Sequence, residues 1–322
     1  MFKYIDLFAG IGGLRIPFQE QGGKCVFTSE WDKYAQQTYE ANYNEKPNGD
    51  ITQIKEEDIE NFDILLGGFP CQAFSIAGKR MGFEDTRGTL FFDVARIIKF
   101  HKPKAFLLEN VKGLLSHNKK QTFKVICNTL QELGYNIHYK ILNAKHFGLP
   151  QNRERIYIIG FLDDVDFEFP EPPMTKTKLG DILDEKVDEK YTISDRLWAS
   201  HQERKRRNKE KGWGFGYSLF NHESEYTSTI SARYYKDGSE VLIAQENKNP
   251  RKLTPREASR LQGFPKNFNI PVSDTQAYKQ FGNSVAVSVI REIAKEMLIS
   301  LKILENESRR NKPRNKQIKI KY

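Results

Sequence analysis

The sequence predicts an α/β fold: a doubly wound, mostly parallel sheet with a smaller, loop-rich second domain. Three observations carry that prediction. Apolar runs of strand length alternate with segments of helical spacing up to about residue 165. Several of those runs end in glycine or a carboxylate, at the sheet edge where such folds bind ligands. The alternation then fails at an acidic, proline-rich stretch, residues 167–174.

Residues 4–8 read as the first strand, followed by a glycine-rich turn and a helix ending at Gly22-Gly23. Residues 25–30 form the second strand, and Asp32 is placed to cap a helix running to Tyr43. Residues 63–68 and 105–110 are further strands. Between them, residues 89–100 put Leu90, Phe91, Val94, Ile97 and Ile98 on one helical face. A helix over 120–133, stopped by Gly134, precedes strands at 135–142 and 155–161. Residues 190–250 mix polar, aromatic and basic side chains without a sustained period. An apolar stripe returns over 284–304 through Val285, Val289, Ile293, Met297 and Leu301. A lone amphipathic helix needs a surface, so it is expected to pack back on the first sheet. The division that follows is 1–180 for the main domain, 181–255 for the second and 256–281 for a hinge. Residues 282–304 form the returning helix, and 305–322 a basic tail expected to be disordered.

Bulk properties exclude several classes. No apolar run approaches the ~18 residues of a membrane span. Asp6 stands where a secretory signal would carry its apolar core, so a cytoplasmic location is expected. Three cysteines, Cys25, Cys71 and Cys127, include no CxxC pair, which leaves no disulfide framework and no metal site. The formal charge of +9 permits a polyanionic partner without requiring one.

The first turn reads Phe8-Ala9-Gly10-Ile11-Gly12-Gly13-Leu14-Arg15. Glycines there let the backbone approach a ligand. Arg15 occupies the third glycine position of the dinucleotide fingerprint, which excludes a nicotinamide enzyme. Glu30 can accept from both hydroxyls of a ribose, Trp31 offers a face to a purine, and Asp50 can accept from an adenine amino group. Together they describe a nucleoside pocket; a purely structural turn is the alternative.

Cys71 follows Gly67-Gly68-Phe69-Pro70 at a strand end, whereas Cys25 and Cys127 read as buried and inert. A reactive cysteine needs its thiolate, favoured by nearby positive charge. Glu109 ends an otherwise apolar strand, a costly place for a carboxylate without a use. Arg153 and Arg155, in Gln151-Asn152-Arg153-Glu154-Arg155, come to the same region. A thiolate, an acid and two guanidiniums are equipment for adding a nucleophile to an electron-poor ring.

These blocks closely resemble the DNA (cytosine-5)-methyltransferases of bacterial restriction–modification systems, over about residues 3–300. The resemblance rests on residues 6–13, Gly68-Phe69-Pro70-Cys71-Gln72 with Phe74-Ser75, Glu109-Asn110-Val111 and the Gln-x-Arg-x-Arg at 151–155. It continues through Arg256-Glu257, Leu261-Gln262-Gly263-Phe264-Pro265 and Gln280-Phe281-Gly282-Asn283-Ser284-Val285. It implies the S-adenosylmethionine-dependent methyltransferase fold, with that cofactor held by Phe8, Gly10, Ile11, Gly12, Gly13, Glu30, Trp31, Asp50, Ile51, Pro70, Leu90, Asn283, Ser284 and Val285. Cys71 would add to C6 of cytosine, Glu109 would engage N3, Arg155 would hold O2 and orient Glu109, and Arg153 would support the Cys71 loop. The base must be flipped out of the duplex, and residues 72–88 are the expected lid, with Gln72, Ser75, Lys79, Arg80 and Arg87 toward DNA.

By the same resemblance the second domain reads the DNA sequence. Arg204, Arg206, Arg207, Arg233, Tyr234, Tyr235 and Lys236 are its candidate contacts, to base edges or to phosphate. Residues 231–240 resemble members acting on CC…GG sites such as CCGG or CCWGG. The implied partner is double-stranded DNA, bound by a monomer in the nucleoid, with a restriction endonuclease as functional counterpart. A tRNA cytosine-5 methyltransferase and a catalytically inactive DNA-binding paralogue are the alternatives. An amino-methylating DNA enzyme would carry Asp/Asn-Pro-Pro-Tyr/Phe where Phe69-Pro70-Cys71-Gln72 stands.

Overall fold

The computed structural model describes residues 1–70 and 90–303. Cys71, the 72–88 segment with Gln72, Ser75, Lys79, Arg80 and Arg87, and the 305–322 tail lie outside the described residues. Six strands form the main sheet: β1 (Lys3–Leu7), β2 (Lys24–Ser29), β3 (Ile64–Gly67), β4 (Ala105–Val111), β5 (Asn136–Asn143) and β6 (Glu154–Phe161). Their order is β2-β1-β3-β4-β6-β5. Strands β1 to β4 are mutually parallel, so their carboxyl ends share one edge.

Alternate side chains explain why both faces are covered. Tyr4, Ile64, Leu66 and Leu107 pack on one face with Phe18 of α1 (Arg15–Glu20) and with the C-terminal helix. Ile5, Leu7, Leu65, Phe106 and Leu108 face the other way. There they meet Phe91, Val94 and Ile98 of α3 (Leu90–His101) and Ile126 and Leu130 of α4 (Gln121–Glu132). Between β2 and β3, Asp32 caps α2 (Lys33–Tyr43) by accepting from the amides of Tyr34 and Ala35.

β6 departs from the parallel pattern. It runs antiparallel to both β4 and β5. The β5–β6 link is a short turn through Ala144–Phe147 and Gly148, too short for the crossover that a parallel strand requires. This reversal matters for the site. A parallel β6 would start at the far edge of the sheet, whereas here Arg155 lies opposite Val111.

The loop-rich expectation for 190–250 needs correction. Residues Asp195–Glu210 form a four-turn helix, α5, capped by Ser194. It has no apolar stripe, and His201 is its one buried side chain. Polar pairs support it instead: Arg206 bonds Glu203 and Glu210. Strands β7 (Leu219–Phe220), β8 (Leu242–Gln245) and β9 (Lys248–Lys252) make a second sheet, and α6 (Tyr234–Asp237) precedes β8 in the chain. α7 (Pro255–Leu261) opens on a reciprocal Thr254–Glu257 capping box, and α8 (Asp274–Asn283) follows. One apolar cluster joins Ile230, Tyr234, Val241, Leu261 and Phe281 to Ile11 and Ile16 beside the first turn.

The final helix, α9 (Val287–Ser300), returns to the first sheet as expected, burying Val289, Ile290, Ile293 and Met297 against it. Among the described residues no helix is long and apolar enough to cross a membrane.

Candidate active site

The carboxyl edges of β1 to β4 open into a cleft of about 1370 Å³. At one end stands the first turn. Gly10 adopts φ +55° and Gly12 φ +81°, and Phe8 also takes a positive φ of 55°, a backbone state few side chains tolerate. Gly13 admits the close approach of α9's leader: a Cβ there would fall 2.8 Å from Ser284 Oγ and 2.9 Å from Val285 Cγ2. The chain needs glycine where the turn meets the Ser284 and Val285 side chains.

Glu30 sits at the end of β2, buried, with each carboxylate oxygen accepting one amide: Gly10 N–H at 2.8 Å and Asp32 N–H at 2.8 Å. Burial pushes its carboxyl up, and those amides pull it back. Each oxygen retains a second lone pair for a ribose hydroxyl. Trp31 beside it is 79% exposed although large and apolar, a face without protein cover. Phe8, Ile51 and Leu90 line the same part of the cleft. Asp50 accepts from Thr52 N–H with one oxygen. The amides of Ile11 and Gly13 meet no acceptor among the described residues. A nucleoside with a charged tail fits this set: ribose acceptors, an apolar slot and open N–H donors.

The cleft is also lined by the acid and the arginines. Glu109 is 8% exposed, and burial raises its carboxyl pKa against the opposing pull of Arg155 and then Arg153. Arg155 Nε lies 3.1 Å from Glu109 Oε1. The antiparallel register makes these two diagonal neighbours on one face of the β4–β6 pair. Arg153 is nearly inaccessible. Its guanidinium donates to the carbonyl oxygens of Ile230 and Gly282, each at 3.1 Å, and to that of Ser284. It therefore ties the 230 segment and the α8–α9 junction to the start of β6. The Cys71 loop that Arg153 was expected to support lies outside the described residues.

Pro70 lines the cleft, and Asn110 Nδ2 donates to the Phe69 carbonyl at 2.8 Å, fixing the backbone that leads to Cys71. Sequence reasoning missed this role of Asn110; a polar residue closing the buried strand beside Glu109 is the signal that could have found it. It missed the role of Gln151 as well. That side chain is fully buried and bridges Leu261 O, Gln262 and the Ile230 amide.

The remaining residues divide. Arg233 and Tyr235 line the cleft and Lys236 is exposed. Asn283, Ser284 and Val285 line it as well. Tyr234, expected as a surface contact, is instead fully buried, donating to Val241 O at 2.7 Å and accepting from Leu253 N–H at 2.8 Å. Arg204 also turns inward, to Asp237, His201 and the Gly216 carbonyl. Arg206 is spent on its own helix, while Arg207 remains largely exposed. Gly12 does not line the cleft; the Tyr43 ring covers it from behind.

Comparison with known proteins gives a consistent answer. The family model of C-5 cytosine-specific DNA methylases matches residues 2–298. The chain is 64% identical over 303 residues to Type II methyltransferase M1.ScrFI of Lactococcus lactis subsp. cremoris, covering 92% of this chain and 78% of that one. It is 50% identical over 322 residues to Type II methyltransferase M.HpaII of Haemophilus parainfluenzae, covering 93% and 90%. In fold it is similar to an Entamoeba histolytica methyltransferase at TM-score 0.77 and 22% identity, over 94% of this chain and 99% of that one.

Proposed function

The chain belongs to the C-5 cytosine-specific DNA methylases, and on that premise we propose how its residues divide the work. It is a site-specific DNA (cytosine-5) methyltransferase that uses S-adenosylmethionine and acts on double-stranded DNA. When bound, the cofactor supplies an electrophilic methyl group. Glu30 would hold the ribose, Trp31 and Ile51 the adenine, and the Gly10–Gly13 turn with Asn283, Ser284 and Val285 the methionyl end.

C5 of cytosine is a poor nucleophile. The Cys71 thiolate adds to C6, breaking the C5–C6 double bond and making C5 the electron-rich carbon of an enamine. Charge pushed onto the ring is met at N3 by Glu109, whose raised pKa lets it hold a proton for donation. Arg155 fixes the carboxyl from one side and faces O2. After C5 has gained its methyl, loss of the C5 proton and elimination of Cys71 restore the aromatic ring. The observation that supports this assignment most is the largely buried Glu109–Arg155 pair in the cleft that Pro70 also lines.

The second domain supplies sequence readout through Arg233, Tyr235 and Lys236, with Arg207 toward phosphate. Residues 231–240 support a CC…GG target, CCGG or CCWGG, methylated at an inner cytosine. A monomer paired with a cognate endonuclease completes the reading. The Cys71→Ser variant should lose methyl transfer and keep S-adenosylmethionine binding, and duplex DNA carrying 5-fluorocytosine should trap a covalent complex with the unaltered enzyme. Methyl incorporation by Cys71→Ser, or no trapped complex on a methylated site, would remove the covalent mechanism. Methylation-sensitive sequencing of plasmid from an expressing host identifies the site.

A further inference from the structure

Arg15 breaks the dinucleotide pattern, and the catalytic scheme leaves it without a task. It is 5% exposed at the start of α1. Its guanidinium donates to the Tyr39 hydroxyl at 2.8 Å and to both carboxylate oxygens of Glu45, at 2.5 and 3.1 Å. The same group lies over the Tyr43 ring, 4.3 Å from its centroid. Arg15 therefore gathers the carboxyl end of α2 behind the first turn.

Tyr43 presses on that turn from behind. Its hydroxyl donates to the Gly12 carbonyl at 3.1 Å, and the Ile16 amide donates to the same oxygen at 3.1 Å. Both lone pairs of the Gly12 carbonyl are thereby engaged. The ring fills the space a Gly12 side chain would need: a Cβ would come within 2.4 Å of it. Burial keeps the hydroxyl in its protonated, donating form. Ile11 and Gly13 line the cleft, and their amides have no acceptor among the described residues.

We propose that Tyr43, stacked beneath Arg15, is a positioning residue for the cofactor: by holding the Gly12 carbonyl backward it keeps the Ile11 and Gly13 amides turned into the cleft for the methionyl end. Glu30, assigned above to the ribose, is held by the Gly10 and Asp32 amides and not by Tyr43. The clamp therefore acts on the tail and not on the adenosine.

Titration calorimetry on the full chain tests this with three ligands: S-adenosylmethionine, S-adenosylhomocysteine and 5′-methylthioadenosine, which lacks the amino-acid tail. Tyr43→Phe removes the hydroxyl and keeps the ring. It should weaken the two tailed ligands roughly three- to tenfold, the worth of one neutral hydrogen bond. Affinity for 5′-methylthioadenosine should stay within about twofold, as should kcat at saturating cofactor, since the clamp touches neither the nucleoside end nor the base. Arg15→Lys keeps the charge but loses the planar stack, and should show the same selectivity. Equal weakening of all three ligands, or of none, overturns the proposal. So does a fall in kcat with unchanged affinity. Tail-selective loss in Tyr43→Phe alone would remove Arg15 from the clamp.

Discussion

Two carboxyls show how one residue type is set to different tasks by its surroundings. Glu109 and Asp6 are both buried, but Glu109 has Arg155 at 3.1 Å whereas neither oxygen of Asp6 finds a hydrogen-bond partner among the described residues. Glu109 is raised by burial and restrained by its arginines. A proton donor of this kind is lost as pH climbs through its pKa, so methyl transfer at saturating DNA should decline on the alkaline side through a Glu109-dependent step. Replacing Arg155 by Met removes the larger restraint, which moves that step to higher pH. Glu109→Gln should abolish the step and lower kcat by roughly 10²–10⁴, the usual range for a positioned proton donor. A step that survives in Glu109→Gln belongs to another group. Asp6 is pushed up to about 8, chiefly by burial, with Glu30 adding to and Arg15 opposing the rise. Its folded pKa exceeds the unfolded value of 3.8. Between those values the folded state holds a proton that the unfolded state has released, so this group lowers stability as pH rises from about 4 to about 8. Asp6→Asn should flatten that part of the pH–stability curve in urea titrations. An unchanged slope would mean that Asp6 is ionised in the fold.

At the level of elements, legibility follows the hydrophobic effect. The α9 stripe is readable because Val289, Ile293 and Met297 recur on one face, and all three are fully buried against the sheet. Ile293→Ala should cost about 2–5 kcal/mol of unfolding free energy, within the range for emptying a packed site. A loss below about 1 kcal/mol in denaturant titration would mean that α9 does not carry the core. α5 is not readable for the converse reason: a helix that buries only His201 and is supported by charge pairs leaves no apolar period to detect. The reversal of β6 is invisible too, since Ile156, Ile158 and Ile159 look the same in either direction. Only the shortness of the β5–β6 link hints at it. The site inherits this division. Glu30, Glu109 and Arg155 stand out as charges at the ends of apolar strands. Tyr43 and Asn110 do not, because their roles depend on neighbours distant in sequence.

Across the whole molecule the charge excess is confined. Residues 201–211 carry a net four positive charges and 305–322 a net five, which leaves the remainder formally neutral. A sheet that must hold a buried acid gains nothing from a general positive field; a surface meeting phosphate does. Within 201–211, however, Arg204 is tied to Asp237 and Arg206 to two glutamates. Exposed Lys209 and Lys211, with Arg207, are left as the segment's most available cations. Replacing those three by Gln should therefore weaken DNA binding alike at cognate and unrelated sites. It should also lower the slope of log K against log salt by about 0.9 for each phosphate that the variant no longer neutralises. Cofactor affinity and single-turnover methyl transfer should not move, because the cleft is lined by other residues. Deleting 305–322 should spare turnover at low salt, and any effect should appear as the salt slope alone. If the Gln variant instead loses discrimination between cognate and unrelated duplexes, α5 reads bases and the phosphate assignment fails. If turnover disappears at low salt after the deletion, the tail belongs to the catalytic unit. The two kinds of role thus separate by measurement: electrostatic attraction scales with salt, whereas sequence readout and catalysis do not.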